Sequence, residues 1–438
     1  MRGRTARELT DDIERRVVDG LLAPGDRLPS VRQLADDLDL APNTVASAYR
    51  MLGDRGVVVG RGRRGTFIAE RPPLVLADRP ATPVPRGVRD LASGNPDPAL
   101  LPPLRDALAA AAAGPGARYG DDPVDAGLAA LALDGFRDDG VAAERVAVVG
   151  GALDGIERVL SARLRPGDAV LVEDPGYSAV VDLVGALGLR PVAVPVDDDG
   201  LDPGRFEALA GSAAALVHTP RAQNPTGAAL SAERREVLRG VLDRHPDLLV
   251  VEDDHASWVA GAPFVGLAEP GRRSWAVVRS VAKALGPDLR LAMLAADRTT
   301  IDRVEGRQRL GTGWVPHVLQ RAVATLLRDD DVLALLRQAS VTYAARRAAV
   351  TGALAGRAIG AHGRSGFNVW VPVRAEQPVV EAMAARGWAI AAGERYRMVA
   401  PPAIRVCVAA LDLAEGARCA AHLVEVLDPG GPTRSRAG

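Results

Sequence analysis

Lysine is almost absent from this chain of 438 residues: of 54 Lys and Arg, Lys283 is the only lysine. An arginine stays protonated and cannot act as an amine, whereas a lysine loses its proton and attacks carbonyls. Chance survival of one surface lysine in an arginine-biased chain is the alternative. Composition alone does not separate the two, and the neighbouring residues decide. Other scarcities narrow the class. Two cysteines, Cys407 and Cys419, cannot build a disulfide framework. Six scattered histidines show no metal-ligand spacing. No apolar run reaches the ~18–20 residues of a membrane span. The opening MRGRTARELTDDIERR lacks the apolar core of a signal peptide. A net charge of −1 points neither toward nucleic acid nor away from it. These bounds predict a soluble, cytoplasmic protein of two or three domains.

What is present begins with a small domain over residues 7–69. Arg7–Leu22 carries Leu9, Ile13, Val17 and Leu21 at helical period. APGDRLPS is turn chemistry ending in Ser30, an N-cap for a second helix over Val31–Leu38. Asn43 is placed to cap a third, Thr44–Arg55, with Val45, Ala48, Tyr49 and Leu52 inward and Gly56 as its stop. GVVVGRGRRGTFIAE then reads as two short strands about a Gly/Arg tip, Gly60–Gly65. Three helices and a basic two-stranded wing form a winged helix-turn-helix, whose third helix enters the DNA major groove while the wing meets phosphates. The first 71 residues hold 13 Arg against 11 Asp and Glu, so bulk charge does not drive docking. The cations stand where docking needs them, at Arg32, Arg50, Arg61, Arg63 and Arg64.

PGDRLPSVRQLADDL, NTVASAYRMLGDRG and RGTFIAE resemble the DNA-binding domain of the GntR family of bacterial regulators. The resemblance implies a backbone contact at Arg32, the start of the recognition helix at Asn43 and Thr44, and the wing tip at Gly65. Pro42 and Ala46 stand where some members have arginine, which leaves the operator sequence open.

Residues 70–89 carry five prolines and read as an extended linker. Beyond them RVAVVGG, DAVLVED, RPVAVPV, AALVHTP, LLVVEDD, WAVVRSV and LAMLAAD alternate with helical runs. The pattern predicts an α/β domain with a mostly parallel sheet and helices on both faces. Ligands in such sheets sit at the carboxyl ends of the strands. After RVAVV, the N–H groups at Gly151 and Ala152 suit a phosphate, with Asp154 expected to point away. Tyr177 follows the next strand as a face for stacking, although a core role fits it as well. Asn224 follows AALVHTP, and Asp253, Asp254 and His255 end LLVVEDD. A carboxylate there needs a positive partner, and a protonated pyridine nitrogen is one. Ser280 and Arg290 bracket Lys283 at spacings that suit one phosphate. A phosphate cradle, a ring, an amide, an acid and a lone amine together match pyridoxal 5′-phosphate (PLP).

AQNPTG, VEDDH and RSVAKALGPDLR resemble the fold-type I PLP-dependent aminotransferases, including their smaller C-terminal α+β part. Behind a GntR head, the whole resembles the MocR subgroup. RAQNPTG, EDDH, GTGWVPHVLQ and SGFNVWVPV are similar to a PtsJ-like branch linked to vitamin B6 salvage. The resemblance implies that Lys283 bonds the cofactor's aldehyde, with Asp253 on the pyridine nitrogen and Asp254 as its substitute. Asn224 then meets the phenolate oxygen, Tyr177 the ring, Ser280 and Arg290 the phosphate, and Arg405 the carboxylate of a substrate or effector. Asn95 falls in the entry segment that lies over the partner subunit's site in a homodimer. His255 replaces the tyrosine many relatives carry, and adds a group that titrates near neutral pH. The expected domains are residues 1–69, a linker 70–89, an aminotransferase-like domain 90–427 and a disordered tail 428–438. The expected function is a regulator that binds operator DNA and senses PLP or a PLP-reactive amine, in control of vitamin B6 or amino-acid metabolism. An aminotransferase with a DNA-binding head uses the same residues and remains the rival. A dimerisation scaffold is the third reading.

Overall fold

A computed structural model describes residues 1, 5–18, 21–54, 57–69, 84, 87–269 and 271–428, with backbone only for Arg7, Val18, Asp54 and Arg63. Most of the expected linker, Gly56, the Arg63 side chain and the tail from residue 429 lie outside the described residues. The chain divides into two compact units: Met1–Ala77 with Arg165–Asp168 and Gly185–Arg190, and the remainder.

In the head, α1 (Ala6–Val18), α2 (Val31–Leu38) and α3 (Pro42–Asp54) precede a hairpin of β1 (Val58–Gly60) and β2 (Thr66–Ile68). Ser30 and Gln33 form a reciprocal capping box at α2. Leu9, Ile13, Val45, Ala48, Tyr49 and Leu52 make the core as their periodicity predicts. Two boundaries differ from expectation. The first helix ends at Val18, so Leu21 falls beyond the helical period and is 67% exposed. The third begins at Pro42, whose missing N–H costs nothing at a first helical position. Asn43 therefore lies inside the first turn and is not the cap.

The larger unit opens with β3 (Arg89–Asp90), α4 (Arg105–Ala113) and α5 (Ala126–Asp138). Arg89, expected in the linker, already pairs with a strand of this unit. Next come β4 (Val146–Val149), α6 (Ala152–Arg163), β5 (Ala169–Asp174), α7 (Ser178–Ala186), β6 (Arg190–Asp197), β7 (Gly200–Leu201), α8 (Pro203–Ala210) and β8 (Ala215–His218). They are followed by α9 (Ala232–Asp243), β9 (Leu249–Asp254), β10 (Trp275–Ser280), α10 (Ala282–Leu285), β11 (Ala292–Ala296) and α11 (Arg298–Arg309). The sheet order is β4-β11-β10-β9-β8-β5-β6-β7. β5, β8, β9 and β10 run parallel, and β11 runs antiparallel between β10 and β4. All seven apolar runs singled out in the sequence are strands here. Six of them are buried along their whole length, as apolar runs covered on both faces should be, while β6 near the edge of the sheet is partly exposed.

After α12 (His317–Arg328) and the long α13 (Asp330–Ala355), the chain makes β12 (Asn368–Pro372), α14 (Glu376–Ala384), β13 (Trp388–Ala389), β14 (Ala391–Ala392), β15 (Ala403–Cys407) and α15 (Leu413–Leu427). β12, β15 and β14 form an antiparallel sheet, the smaller α+β part. Among the described residues no helix is long and apolar enough to cross a membrane.

Candidate functional site

Because β4, β5, β8, β9 and β10 share one direction, their carboxyl ends line one edge of the sheet, and the residues singled out above follow them there. The two adjacent acids at the end of β9 are buried but differ in their partners. Pleating sends their side chains to opposite faces. Asp254 is held by Arg221 through Nε at 2.7 Å and Nη2 at 2.9 Å, and by Arg279 Nε at 2.7 Å. The two guanidiniums outweigh burial and draw its pKa down to about 2. Asp253 Oδ1 is buried with no hydrogen-bond partner. Burial, helped by Asp254 and Glu173, pushes its carboxyl up to about 7 against the pull of Lys283. Asp253 is thus the acid with an oxygen to offer.

Lys283 lies in α10, half-buried, with Nζ donating to the Gly94 carbonyl at 2.9 Å and 5.7 Å above the Phe367 ring. Burial lowers its proton affinity, as does Arg405, while Cys407 and Asp253 oppose the shift. His255 is half-buried, with Nδ1 3.9 Å from Asp253 Oδ2. Burial first, then Lys283, lowers its pKa to about 4. An imidazole added to vary charge near neutral pH is therefore held neutral there.

Asn224 Oδ1 accepts from Arg405 Nη1 at 2.9 Å and from Asn368 Nδ2 at 3.4 Å. The buried Arg405 also donates to the Ala92 carbonyl and lies 4.7 Å over the Tyr396 ring. Gly151, at φ 110, opens α6, and a Cβ there would sit 3.5 Å from Arg290 Nη2. Arg290 donates to the Gly150 carbonyl at 3.4 Å, so its guanidinium lies over the turn that opens α6. Asp154 turns back to the Gly150 N–H at 2.7 Å and pairs with Arg158 at 2.9 Å, so its charge is met within the turn. Ser280 is buried and accepts from the Ala282 N–H at 3.2 Å, fixing the turn that carries Lys283. Tyr177 stands 39% exposed beyond β5, and Asn95 donates to Ser93 Oγ at 3.2 Å.

The structure thus brings Lys283, Asp253, His255, Asn224 and Arg405 into one cluster and Gly151 with Arg290 into another. Sequence reasoning missed Arg221, Arg279, Asn368 and Asp174. Asp174 ends β5 and accepts from the N–H groups of Met398, Val399 and Ala400 at 2.7, 2.9 and 2.8 Å, tying the segment before β15 to the large sheet. The acidic doublet itself was the available signal for the two arginines, since two adjacent buried carboxylates demand cations.

On the head, Arg32 is exposed on α2, Asn43 and Arg50 are exposed on α3, and Thr44 is half-buried. Arg61 and Arg64 are exposed at the wing, with Arg61 5.1 Å over the Phe67 ring. Gly65 turns the wing at φ 104, where a Cβ would meet Arg27 Nε at 3.1 Å.

A winged helix-turn-helix joined in sequence to an α/β domain with a polar cluster at its strand ends defines a regulator built on an enzyme fold. Residues 5–68 match the model of the bacterial regulatory proteins of the gntR family, and residues 86–423 that of the aminotransferases class I and II. The chain belongs to the MocR-type transcription regulators, which join these two parts. It is 37% identical to the vitamin B6 salvage pathway transcriptional repressor PtsJ of Salmonella typhimurium, over 97% of this chain and 99% of that one. It is 28% identical to the probable rhizopine catabolism regulatory protein MocR of Rhizobium meliloti, over 78% of this chain and 75% of that one. The Pyrococcus horikoshii kynurenine aminotransferase shares the fold at a TM-score of 0.71 and 19% identity, over 79% of this chain and 92% of that one.

Proposed function

We propose that the larger domain binds PLP and senses the supply of that cofactor or of an amine that reacts with it, and that the head reports the result on operator DNA. The observation that carries this reading is the unpartnered Asp253 Oδ1, buried at a strand end beside a saturated Asp254. A protonated pyridine nitrogen would supply the missing donor and charge. Lys283 would bond the cofactor's aldehyde. Asn224, its Oδ1 already held, would turn its Nδ2 to the phenolate oxygen, with His255 beside it. Tyr177 would cover the ring, Gly151, Ala152, Ser280 and Arg290 would hold the phosphate, and Arg405 an effector's carboxylate. When bound, PLP supplies an aldehyde that captures amines and a ring that accepts electrons.

The chain's own residues prepare that capture. Burial favours the unprotonated, nucleophilic form of Lys283. It also keeps His255 uncharged, which leaves Asp253 to meet the ring nitrogen, a cation that would favour the ionised form burial disfavours. A signal follows only if the effector favours one arrangement of the regulator over another. The reading extends to a head over 1–69, a linker from 70 that ends before β3 at Arg89, an aminotransferase-like domain to 427 and a tail over 428–438, and to a cytoplasmic homodimer. The dimer is supported by the exposed Tyr119 (95%) and Leu310 (90%), and by Trp314 packed 5.7 Å from Tyr119. Likeness to PtsJ supports control of vitamin B6 metabolism.

The test is a visible spectrum of the wild-type protein and Lys283→Ala titrated with PLP, followed by operator footprints with and without it. A new absorbance band in the wild type alone, with altered protection, is expected. Identical footprints at all PLP concentrations would sink the sensing role, and repeated turnover of amino acids with 2-oxo acids would establish an aminotransferase instead.

A further inference from the structure

Asn368, the first residue of β12, is 5% exposed, and its Oδ1 is buried without a partner. The orientation of its amide follows from the arginine next to it. Arg405 only donates, so the Asn224 atom it meets at 2.9 Å is the oxygen. That oxygen also takes an Asn368 amide hydrogen at 3.4 Å. An amide that presents nitrogen to this oxygen turns its own oxygen away, and Asn368 Oδ1 finds no protein donor there. A flip would set oxygen against oxygen on Asn224, so the network admits one orientation.

The register sets Asn368 opposite Cys407 and Trp370 opposite Arg405, so these four side chains share one face of the small sheet. Arg405 and Cys407 on that face both act on the charge of Lys283. The bare acceptor therefore belongs to the wall that carries the carboxylate clamp. A buried acceptor without a donor costs folding free energy, and its persistence beside a binding arginine calls for a ligand.

We propose that Asn368 Oδ1 is the specificity contact for the effector, and that it accepts a hydrogen bond from an O–H or N–H on the side chain of an α-amino acid whose carboxylate sits on Arg405. The inference rests on the reading above, in which Arg405 takes the carboxylate and the cofactor's aldehyde takes the α-amine. With those two groups engaged, the side chain is the remaining source of a donor. The effector class is then a polar amino acid, and an aliphatic one of the same size lacks the contact.

L-Serine and L-alanine differ by one hydroxyl and serve as probes, titrated calorimetrically into the full-length protein loaded with PLP. The wild type binds serine roughly tenfold more tightly than alanine, the worth of one hydrogen bond to a buried acceptor. Asn368→Leu loses the ratio. Asn368→Gln keeps an amide N–H for Asn224 and an acceptor oxygen without adding charge beside Arg405, and retains a preference for serine, which separates a lost contact from a damaged fold. Thermal melts and the PLP absorbance of each variant report folding and loading. Equal affinity in the wild type, a preference that survives in Asn368→Leu, or no binding of either amino acid to PLP-loaded protein overturns the proposal. Should the wild type take up no PLP, the reading beneath it falls as well; should it load PLP and treat serine and alanine alike, only the contact at Asn368 falls.

Discussion

The winged head and the strand-end crevice carry their charged residues in opposite ways. On the head Arg32, Arg50, Arg61 and Arg64 are exposed, and the fold beneath them rests on Leu9, Ile13, Val45 and Leu52. At the strand ends Asp253, Asp254 and Arg405 are buried, so each is paired, shifted in pKa or left with an unsatisfied atom. A site on a solvated surface makes little demand on the fold, since water satisfies its charges until DNA replaces it. A site in a crevice is felt throughout its surroundings, because desolvation forces every polar group to find a partner. Substitutions on the head should therefore change binding alone, and those in the crevice should change binding and stability together.

The largest effect expected is on stability, at Arg279. Its guanidinium joins Asp254 at the end of β9 to Asp139, donates to the Gly135 carbonyl at 3.1 Å and lies 4.6 Å from the Phe136 ring. Arg279→Met leaves Asp254 with Arg221 alone in a buried setting, where breaking such a pair costs about 3–5 kcal/mol. Denaturant melts check this, and a loss below ~1 kcal/mol would place the pair outside the fold's energetics. Next comes Lys283→Ala. On the proposed attachment at Lys283, PLP retention through gel filtration falls at least about 100-fold in this variant, equivalent to ~2.7 kcal/mol. Retention at the wild-type level would remove the crevice from cofactor binding.

Asp253→Asn sharpens the contrast because binding and stability should move in opposite directions. The carboxyl has a folded pKa of about 7, above its unfolded value of 3.8. The folded state then holds the extra proton between these values, so this group's contribution to stability is full below about pH 4 and is lost as pH rises through 7. An asparagine never ionises. The variant without cofactor should therefore melt higher than the wild type at pH 8, with the gap closing toward pH 4. Its PLP affinity should fall roughly tenfold or more, the worth of a hydrogen bond between charged groups. A variant that melts lower at pH 8 would show that Asp253 has a partner in the fold after all.

Much of this contrast was readable from the chain, and the failures have physical causes. Periodicity located the head's core at Leu9, Ile13 and Leu52, because a solvated helix must place its apolar residues on one side. It overreached at Leu21, where the pattern outlasts the helix. The strands were readable because burial on both faces selects β-branched runs, and parallel order then put Asn224, Asp253 and Lys283 at a common edge. Partners distant in sequence were not readable. Arg221 and Arg279 lie 33 and 25 residues from Asp254; the acidic doublet calls for cations, but nothing local says which arginines answer it. Asn368 opens an apolar strand and looks like an edge residue until the register with β15 brings it beside Arg405.

The smallest expected effect probes the head, at Arg32. Its side chain is exposed on α2, where the winged-helix arrangement sets a helix across the phosphate backbone. On the proposed contact, Arg32→Ala removes one phosphate partner, and the exposure of Arg32 leaves no packing to lose. With mixed-sequence duplex DNA as the probe, the slope of log affinity against log salt should fall in magnitude by about one. The melting curve should stay within ~0.5 kcal/mol of the wild type, as for exposed substitutions away from caps and cores. The PLP spectrum should not change, because the crevice lies wholly in the other unit. An unchanged salt slope with a lower melting point would reverse the comparison, making Arg32 part of the head's structure and leaving the DNA contacts to α3 and the wing.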